Sequence, residues 1–284
     1  MHTQILGQLP IDQTRLQQDI ESSTEFRFRE PYSEFLCGKP WKSCTVWAAG
    51  KEAGDGVIAH YDTSRSAGFT EYGGQLPYLR ELIEQWFAIE HLMLGRLAIM
   101  SDSVLIPHRD YVELGDTPAE GRAAHRLHVC LVTSEDCCFT EENLVYRMRP
   151  GEVWYLDVTR VHSAAVLSGI QRTHLILDFT DPGHPSDLVR FPIKEAPGVP
   201  ARSMCPREPL DDQERANLLA LAAVVNDDNL RDVFSIVLKK HYRRDGGPDF
   251  FWRTMSQIAE LTGDEEVHKR IGELHRYYTL EREE

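Results

Sequence analysis

The sequence predicts a mainly β protein, a closed or two-sheet barrel, with a helical region at its C-terminus. Between about residues 20 and 195, short apolar runs alternate with Gly, Pro, Asp and Ser, which is typical of strands and their turns. From about residue 208 the apolar residues instead recur at helical spacing. We therefore expect a β core in residues 1–200 and a helical domain in residues 208–284.

Eight short apolar runs are candidate strands, which is enough for a closed barrel or for two packed sheets. They span residues 41–49, 96–100, 103–108, 125–133, 144–148, 152–157, 163–167 and 172–179. One helix is expected among them, at residues 77–90, because a proline opens a run of large apolar residues at helical spacing. The polar segment 133–143 is interpreted as a turn.

The C-terminal quarter is expected to form a small helical bundle or cap. Proline and glycine concentrate in residues 195–212, and four helical segments follow, at residues 211–225, 229–243, 249–263 and 264–278. Each segment opens near an Asp or Asn, which are preferred N-caps, and Gly263 stands where a helix should end.

Composition and charge narrow the classes of function. The 284 residues carry 31 Lys and Arg against 45 Asp and Glu, a net charge of -14, so nucleic acid and anionic membranes are poor partners. The first twenty residues do not resemble a secretory signal and no run could span a bilayer, so a cytoplasmic location is expected. The six cysteines form no CxxC pair and are interpreted as reduced thiols without zinc. In so acidic a chain, an acid-binding site requires locally concentrated arginine.

The stretch IPHRDYVEL, residues 106–114, places His108 and Asp110 one residue apart after an apolar run. Such a pair can arise by chance, and the chain holds a second one at His60 and Asp62. The first pair ends an apolar strand, whereas the second lies in a glycine-rich, loop-like context. Strand context therefore favours the first pair as a functional motif.

A third ligand and an anion anchor follow later in the chain. Non-haem iron(II) oxygenases hold their metal with two His and one carboxylate, which leaves positions open for oxygen and a cosubstrate. His162 follows a strand and a turn, and Arg172 stands ten residues later at the start of the next strand. If 2-oxoglutarate is the cosubstrate, the planar fork of an arginine suits its far carboxylate. Helix or turn capping and core hydrogen bonding are the alternative roles for these residues.

Strand alternation predicts which other side chains share this cavity. The side chains expected to face it are Arg172, His174, Ile176, Asp178, Arg126, His128 and Cys130. A buried arginine is too costly to leave unpaired, so Arg126 and Arg96 are candidate anion contacts, with solvent-facing strand residues as the alternative. His128 and His174 are interpreted as barrel histidines rather than further ligands.

Substrate contacts are expected around the same cavity. Asp178 is a candidate partner for a substrate ammonium group. Trp41, Trp47 and Tyr32 are candidate walls for an apolar ring, with packing in an aromatic core as the alternative.

The sequence resembles the bacterial L-proline 3-hydroxylases and related hydroxylases of free cyclic amino acids, a branch of the iron(II)- and 2-oxoglutarate-dependent dioxygenases. The resemblance is carried by ILGQL and DQTRL near the start, IPHRDYVEL, RMRPGEVWYLD followed by VHSA, and NLRDVFSIVLKKHY in the C-terminal part. It spans most of the chain and is weakest in the glycine-rich segment 50–75, a candidate lining or cover of the substrate pocket.

The resemblance implies a double-stranded β-helix, or jelly-roll, with a helical C-terminal region. It makes the three candidate ligands the iron site and Arg172 the 2-oxoglutarate anchor, and it gives Arg126 and Arg96 contacts with substrate or cosubstrate carboxylates. Iron(II), 2-oxoglutarate and O2 are then required, with ascorbate as the reductant in vitro. The partner is a small free amino acid, and a homodimer is one expected assembly.

The expected reaction is hydroxylation of free L-proline or L-pipecolic acid, at C3 in preference to C4, with 2-oxoglutarate converted to succinate and carbon dioxide. The two substrates differ by one methylene, worth only about 1–3 kcal/mol in an apolar pocket, so a motif cannot separate them. A non-catalytic jelly-roll that binds a metal or small acid is one alternative, although it would not need Arg172. A β-hydroxylase acting on a protein or carrier-bound residue is the other, and it would need an open groove.

Overall fold

Two antiparallel sheets face each other in the computed structural model, which describes residues 3–62, 64–110, 123–180 and 184–279. The strands are β1 (Gln4–Gln8), β2 (Leu36–Gly38), β3 (Lys42–Ala49), β4 (Ala67–Phe69), β5 (Leu92–Met100), β6 (Ser103–Leu105), β7 (Ala123–Val132), β8 (Cys137–Glu141), β9 (Leu144–Tyr146), β10 (Glu152–Leu156), β11 (His162–Val166), β12 (Arg172–Thr180), β13 (Glu208–Pro209) and β14 (Arg244–Asp245). The helices are α1 (Gln13–Ser23), α2 (Pro77–Trp86), α3 (Asp212–Leu219), α4 (Leu230–Arg243), α5 (Phe250–Thr262) and α6 (Glu265–Thr279). The last four residues of IPHRDYVEL and residues 280–284 of the expected helical domain lie outside the described residues.

The order of the strands identifies the architecture. The seven-stranded sheet runs β1-β10-β7-β12-β5-β3-β4 and the five-stranded sheet runs β2-β6-β11-β8-β9, while β13 and β14 form a small parallel pair. From β5 to β12 the chain passes back and forth between the two large sheets. This winding is that of a jelly-roll, so the expected double-stranded β-helix is confirmed.

Hydrophobic clusters arrange the described residues in four layers. Helices α1 and α2 pack on the outer face of the seven-stranded sheet, where Leu82 and Leu177 share a cluster. A second cluster, which includes Trp154, fills the space between the sheets. Helices α3 to α6 cover the outer face of the five-stranded sheet, where Phe234 packs in one cluster with Val104. No described helix is both long and apolar enough to cross a lipid bilayer.

Three of the expected elements end earlier than predicted. The candidate strand 103–108 ends at Leu105, so His108 lies beyond it. The helix expected at 77–90 ends at Trp86, because Phe87 adopts extended backbone and bridges Val189. The helix expected at 211–225 ends at Leu219 and continues as a 3₁₀ turn.

The interpretation of residues 133–143 as a turn is wrong. Residues Cys137–Glu141 form β8, all five of them buried, between β11 and β9 in the five-stranded sheet. The charged residues that suggested a turn lie at the two ends of this short strand, whereas the strand itself packs on both faces. Helix α1 was not predicted either, although Asp12 caps it by accepting from the backbone N–H groups of Thr14 and Arg15.

Candidate metal centre

Three candidate ligands converge where β6 and β11 end. The backbones of His108 and His162 pair through two hydrogen bonds, of 3.0 and 2.9 Å, and the backbone N–H of Asp110 donates to the carbonyl of Val158 at 3.0 Å. These bonds place one ligand atom from each of His108, Asp110 and His162 within 4.8 Å of one another. In the described part of the chain, no other group of three His, Cys, Asp or Glu side chains comes together in this way.

Backbone carbonyls fix the orientation of both imidazole rings. Nδ1 of His108 lies 2.7 Å from the carbonyl oxygen of Ile106, and Nδ1 of His162 lies 2.9 Å from that of Arg160. Because a carbonyl only accepts, each Nδ1 carries the hydrogen and each Nε2 keeps its lone pair. This arrangement is the usual support of metal-binding histidines, and Nε2 of His108 faces Oδ1 of Asp110 at 3.3 Å.

The protonation states suit a divalent metal. Burial and the neighbouring His108 lower the pKa of His162 to about 4, so its ring is neutral at ordinary pH. Burial alone would raise the pKa of Asp110, but the Arg126 guanidinium and the two histidines hold it well below its usual range. Two imidazoles and one carboxylate form the ligand set of non-haem iron(II) sites, so these residues fit that metal.

The competing His-x-Asp pair is a surface turn. The side chain of His60 is 63% exposed and its Nδ1 lies 2.7 Å from a carboxylate oxygen of Asp55. Asp62 accepts from the backbone N–H and the hydroxyl of Ser64. Strand context thus separated a buried pair from an exposed one.

Arg172 is a buried cation without a counterion among the residues that the structure describes. It is 2% exposed at the start of β12, with its guanidinium carbon 4.8 Å from the centre of the Phe139 ring. Nε and Nη1 have no hydrogen-bond partner, and within the described ranges no carboxylate forms an ion pair with it. Burial lowers its pKa below the usual arginine value. An unpaired buried cation is costly, so this position suits an anionic ligand such as the far carboxylate of 2-oxoglutarate.

The other two candidate arginines share one carboxylate. Asp178 is fully buried on β12. Its Oδ1 accepts from Nε of Arg126 at 2.6 Å, and its Oδ2 accepts from Nη2 of Arg96 at 2.5 Å. Nη1 of Arg126 also contacts Oδ2 of Asp110, and Nη1 of Arg96 donates to the carbonyl of Gly56 at 3.3 Å. The alternation expected for β12 and β7 therefore brings these charges together.

Asp178, the candidate partner for a substrate ammonium group, bonds two arginines in this structure. Both of its oxygens bind guanidinium groups, because two buried arginines on neighbouring strands require a counter-charge. A role as ammonium partner stays a prediction. The bond from Arg96 to the carbonyl of Gly56 brings the glycine-rich segment 50–75 to this cluster of charges. Its role as a lining or cover of the substrate pocket stays a prediction.

The aromatic candidates occupy different places. Trp41 is half-buried and packs against the cluster between the sheets, and the hydroxyl of Tyr32 accepts from the backbone N–H of Ile58. Their substrate contacts stay predictions. Trp47 belongs to the outer cluster under α1 and α2 and donates to the carbonyl of Leu92, so it is a core residue. Phe139, which lies under Arg172, was missed because its strand had been interpreted as a turn.

His128 and His174 form a buried pair inside the sandwich. Their Nδ1 atoms lie 3.3 Å apart, and burial lowers the pKa of each ring well below its usual range. Neither ring joins the group of candidate ligands. The interpretation of both as barrel histidines agrees with this placement.

Comparison with known proteins gives the family. A family model described as aspartyl/asparaginyl beta-hydroxylase matches residues 10–182, and one described as L-proline 3-hydroxylase, C-terminal, matches residues 185–284. The L-proline cis-4-hydroxylase of Rhizobium meliloti (strain 1021) is 32% identical over 287 residues, covering 100% of this chain and 98% of its own. L-proline cis-3-hydroxylase 2 of a Streptomyces species is 31% identical over 270 residues, covering 94% of this chain and 91% of its own.

A crystal structure of an oxidoreductase of the 2OG-Fe(II) oxygenase family from Burkholderia pseudomallei is also similar. It aligns with a TM-score of 0.42 at 10% identity, covering 63% of this chain and 85% of its own. Similarity at that level supports no assignment, whereas the two proline hydroxylases align along nearly the whole chain. The protein therefore belongs to the L-proline hydroxylase family and is an iron(II)- and 2-oxoglutarate-dependent dioxygenase.

Proposed function

We propose that the protein hydroxylates a free cyclic amino acid, L-proline or L-pipecolic acid, with C3 as the expected position. The observation that carries this proposal is the pairing of a ligand triad with an unpartnered buried arginine, Arg172, in one sandwich. The names of the relatives support proline as the substrate, and they include both cis-3- and cis-4-hydroxylases. Product analysis must therefore decide the position.

The protein's part in the reaction is placement. Bound iron(II), with 2-oxoglutarate and O2, supplies the oxidation that replaces a ring C–H by C–OH and yields succinate and carbon dioxide. His108, Asp110 and His162 would hold the metal through two Nε2 atoms and one carboxylate oxygen. Arg172 would bind the far carboxylate of 2-oxoglutarate through the free hydrogens on Nε and Nη1.

The substrate carboxylate would bind near Arg126 and Arg96. Arg126 uses Nε and Nη1 for Asp178 and Asp110, which leaves Nη2 for a ligand. Nε of Arg96 has no hydrogen-bond partner among the described residues. Trp41 and Tyr32 would wall the apolar ring and so aim one C–H bond at the metal.

The test is aerobic incubation with iron(II), ascorbate, 2-oxoglutarate and a panel of amino acids. The panel contains L-proline, L-pipecolic acid, N-acetyl-L-proline and a prolyl peptide. We expect succinate to form in step with one added oxygen on a free cyclic amino acid, and chromatography against 3- and 4-hydroxy standards identifies the position.

Two outcomes would contradict the proposal. Turnover of the peptide alone would indicate a hydroxylase of proteins, and metal binding without substrate-stimulated succinate would indicate a non-catalytic binding module.

The proposal also places the enzyme in the cytoplasm as a homodimer. Light scattering after size-exclusion chromatography should then give twice the mass of the chain.

A further inference from the structure

Four charged side chains of alternating sign form a continuous row that ends at Asp110, one of the candidate metal ligands. The row runs Arg96, Asp178, Arg126, Asp110, and its contacts are side chain to side chain throughout. Arg96 is 1% exposed and Asp178 is fully buried, so the contact between them is shielded from water. The side chains of Arg126 and Asp110 are 12% and 20% exposed. Removing one partner of a buried ion pair is costly, because it leaves an uncompensated buried charge.

The row ends on a particular atom of the metal ligand. Arg126 contacts Oδ2 of Asp110, whereas Oδ1 of the same carboxylate faces Nε2 of His108 at 3.3 Å. One oxygen therefore contacts the arginine, and the other faces the imidazole of His108. Asp110 can give the metal a single oxygen in this arrangement.

Asp178 determines where the Arg126 guanidinium lies. Its Oδ1 holds Nε of Arg126 at 2.6 Å, which orients the planar group so that Nη1 reaches Asp110. Arg172 is the contrasting case on the same strand, since it has no carboxylate partner among the described residues. The two arginines are thus equipped for different tasks.

We propose that Asp178 is a positioning residue that, through Arg126, fixes which oxygen of Asp110 faces the metal. This inference rests on the proposed function, which assigns the substrate carboxylate to Arg126 and Arg96. The cobalt(II) titration that tests it first requires only the metal. The inference also assigns the far carboxylate of 2-oxoglutarate to Arg172 alone. Asp178, with both oxygens occupied and no exposed surface, is then not the partner of the substrate ammonium group.

The test is a titration of the metal-free full-length enzyme with cobalt(II), followed by its visible absorption without any substrate. Asp178→Asn keeps the shape of the side chain and removes its charge. We expect it to weaken cobalt binding about tenfold, the lower end of the effect of removing a group that supports a metal ligand. Glu152→Gln is the matched control, because Glu152 is equally buried but bonds Trp154 and Arg149 instead.

A second variant tests the route of the effect. Arg126→Lys keeps the positive charge but cannot bridge two carboxylates with a fixed fork, so it should also weaken cobalt binding. In the Arg126→Lys background, Asp178→Asn should have no further effect. If Asp178→Asn does not fold, a loss of cobalt affinity in Arg126→Lys alone supports the proposal, and cobalt affinity within twofold of the unsubstituted enzyme overturns it.

Other outcomes would also overturn the proposal. If Asp178→Asn binds cobalt normally but loses L-proline affinity, the carboxylate contacts the substrate directly. Additive losses in the double variant would mean that Asp178 acts by another route. A failure of the proposed reaction would appear as no turnover in the amino acid panel, whatever the result of the cobalt titration.

Discussion

The two faces of the seven-stranded sheet differ sharply although they belong to the same strands. On β12, Leu175, Leu177 and Phe179 point outward into the hydrocarbon cluster beneath α1 and α2. The alternate residues Arg172 and Asp178 point between the sheets and carry full charges. One face therefore supplies stability, and the other holds charges and unpaired donors that would be unfavourable without a ligand.

The largest expected effect comes from removing a candidate metal ligand, His162, between the two sheets. His162→Ala should weaken metal binding and lower turnover by roughly 1000-fold or more, about 4 kcal/mol, because two ligands remain of three. Cobalt titration and succinate formation measure it. His60→Ala is the control, since this exposed histidine belongs to the competing motif. Equal losses in the two variants would contradict the assignment of the metal site.

A substitution on the outer face of the seven-stranded sheet should lower the stability of the fold without changing turnover. Leu177 is fully buried, so Leu177→Ala should lower the free energy of unfolding by about 3 kcal/mol through lost burial and a cavity. Turnover per folded molecule should stay unchanged. Urea unfolding followed by circular dichroism measures the first quantity. Leu261→Ala, at a residue 61% exposed, is the control and should have little effect.

At Arg172 we expect a loss of ligand affinity together with a gain in stability, the opposite of the effect at Leu177. Arg172→Met should weaken 2-oxoglutarate binding about 100-fold, which corresponds to about 2.7 kcal/mol. The same change should raise the free energy of unfolding by roughly 1 kcal/mol, because it removes a buried unpaired charge. Isothermal titration of the cobalt enzyme and urea unfolding give the two numbers. Loss of both stability and affinity would mean that Arg172 is a packing residue.

The same contrast explains what the sequence could predict. Alternation on residues 172–179 and 125–133 was enough to place Arg172, Arg126 and Asp178 on one face, because side-chain direction in a strand has a period of two. It could not show that Asp178 joins two arginines, since that contact depends on the register of β12 with its neighbours.

The fold was predicted best where the pattern was long. Strand β8 was missed because its five buried residues stand between charged ends, so its composition is that of a turn. The C-terminal helices were predicted from their periodicity, but their packing on the five-stranded sheet was not. That packing requires the outer residues of short strands such as β6, whose burial no local pattern reveals.

A smaller effect should come from a buried histidine outside the sandwich interior. His241 on α4 is 4% exposed and its ring stacks on that of Phe250 at 5.7 Å. Burial, with the nearby Arg207, lowers the pKa of His241 to about 4. The ordinary pKa of histidine is about 6.5, so between these values the unfolded chain binds more protons and the folded state loses stability as pH falls.

This one group should lower the free energy of unfolding by roughly 1 kcal/mol between pH 7.5 and 5.5. The variant His241→Leu cannot bind that proton, so urea unfolding at the two pH values should show a pH dependence smaller by that amount. Other buried histidines, such as His128 and His174, contribute equally to both proteins and cancel in the comparison. An unchanged pH dependence would mean that the pKa of His241 is the same in the folded and unfolded states, which would contradict its lowering by burial.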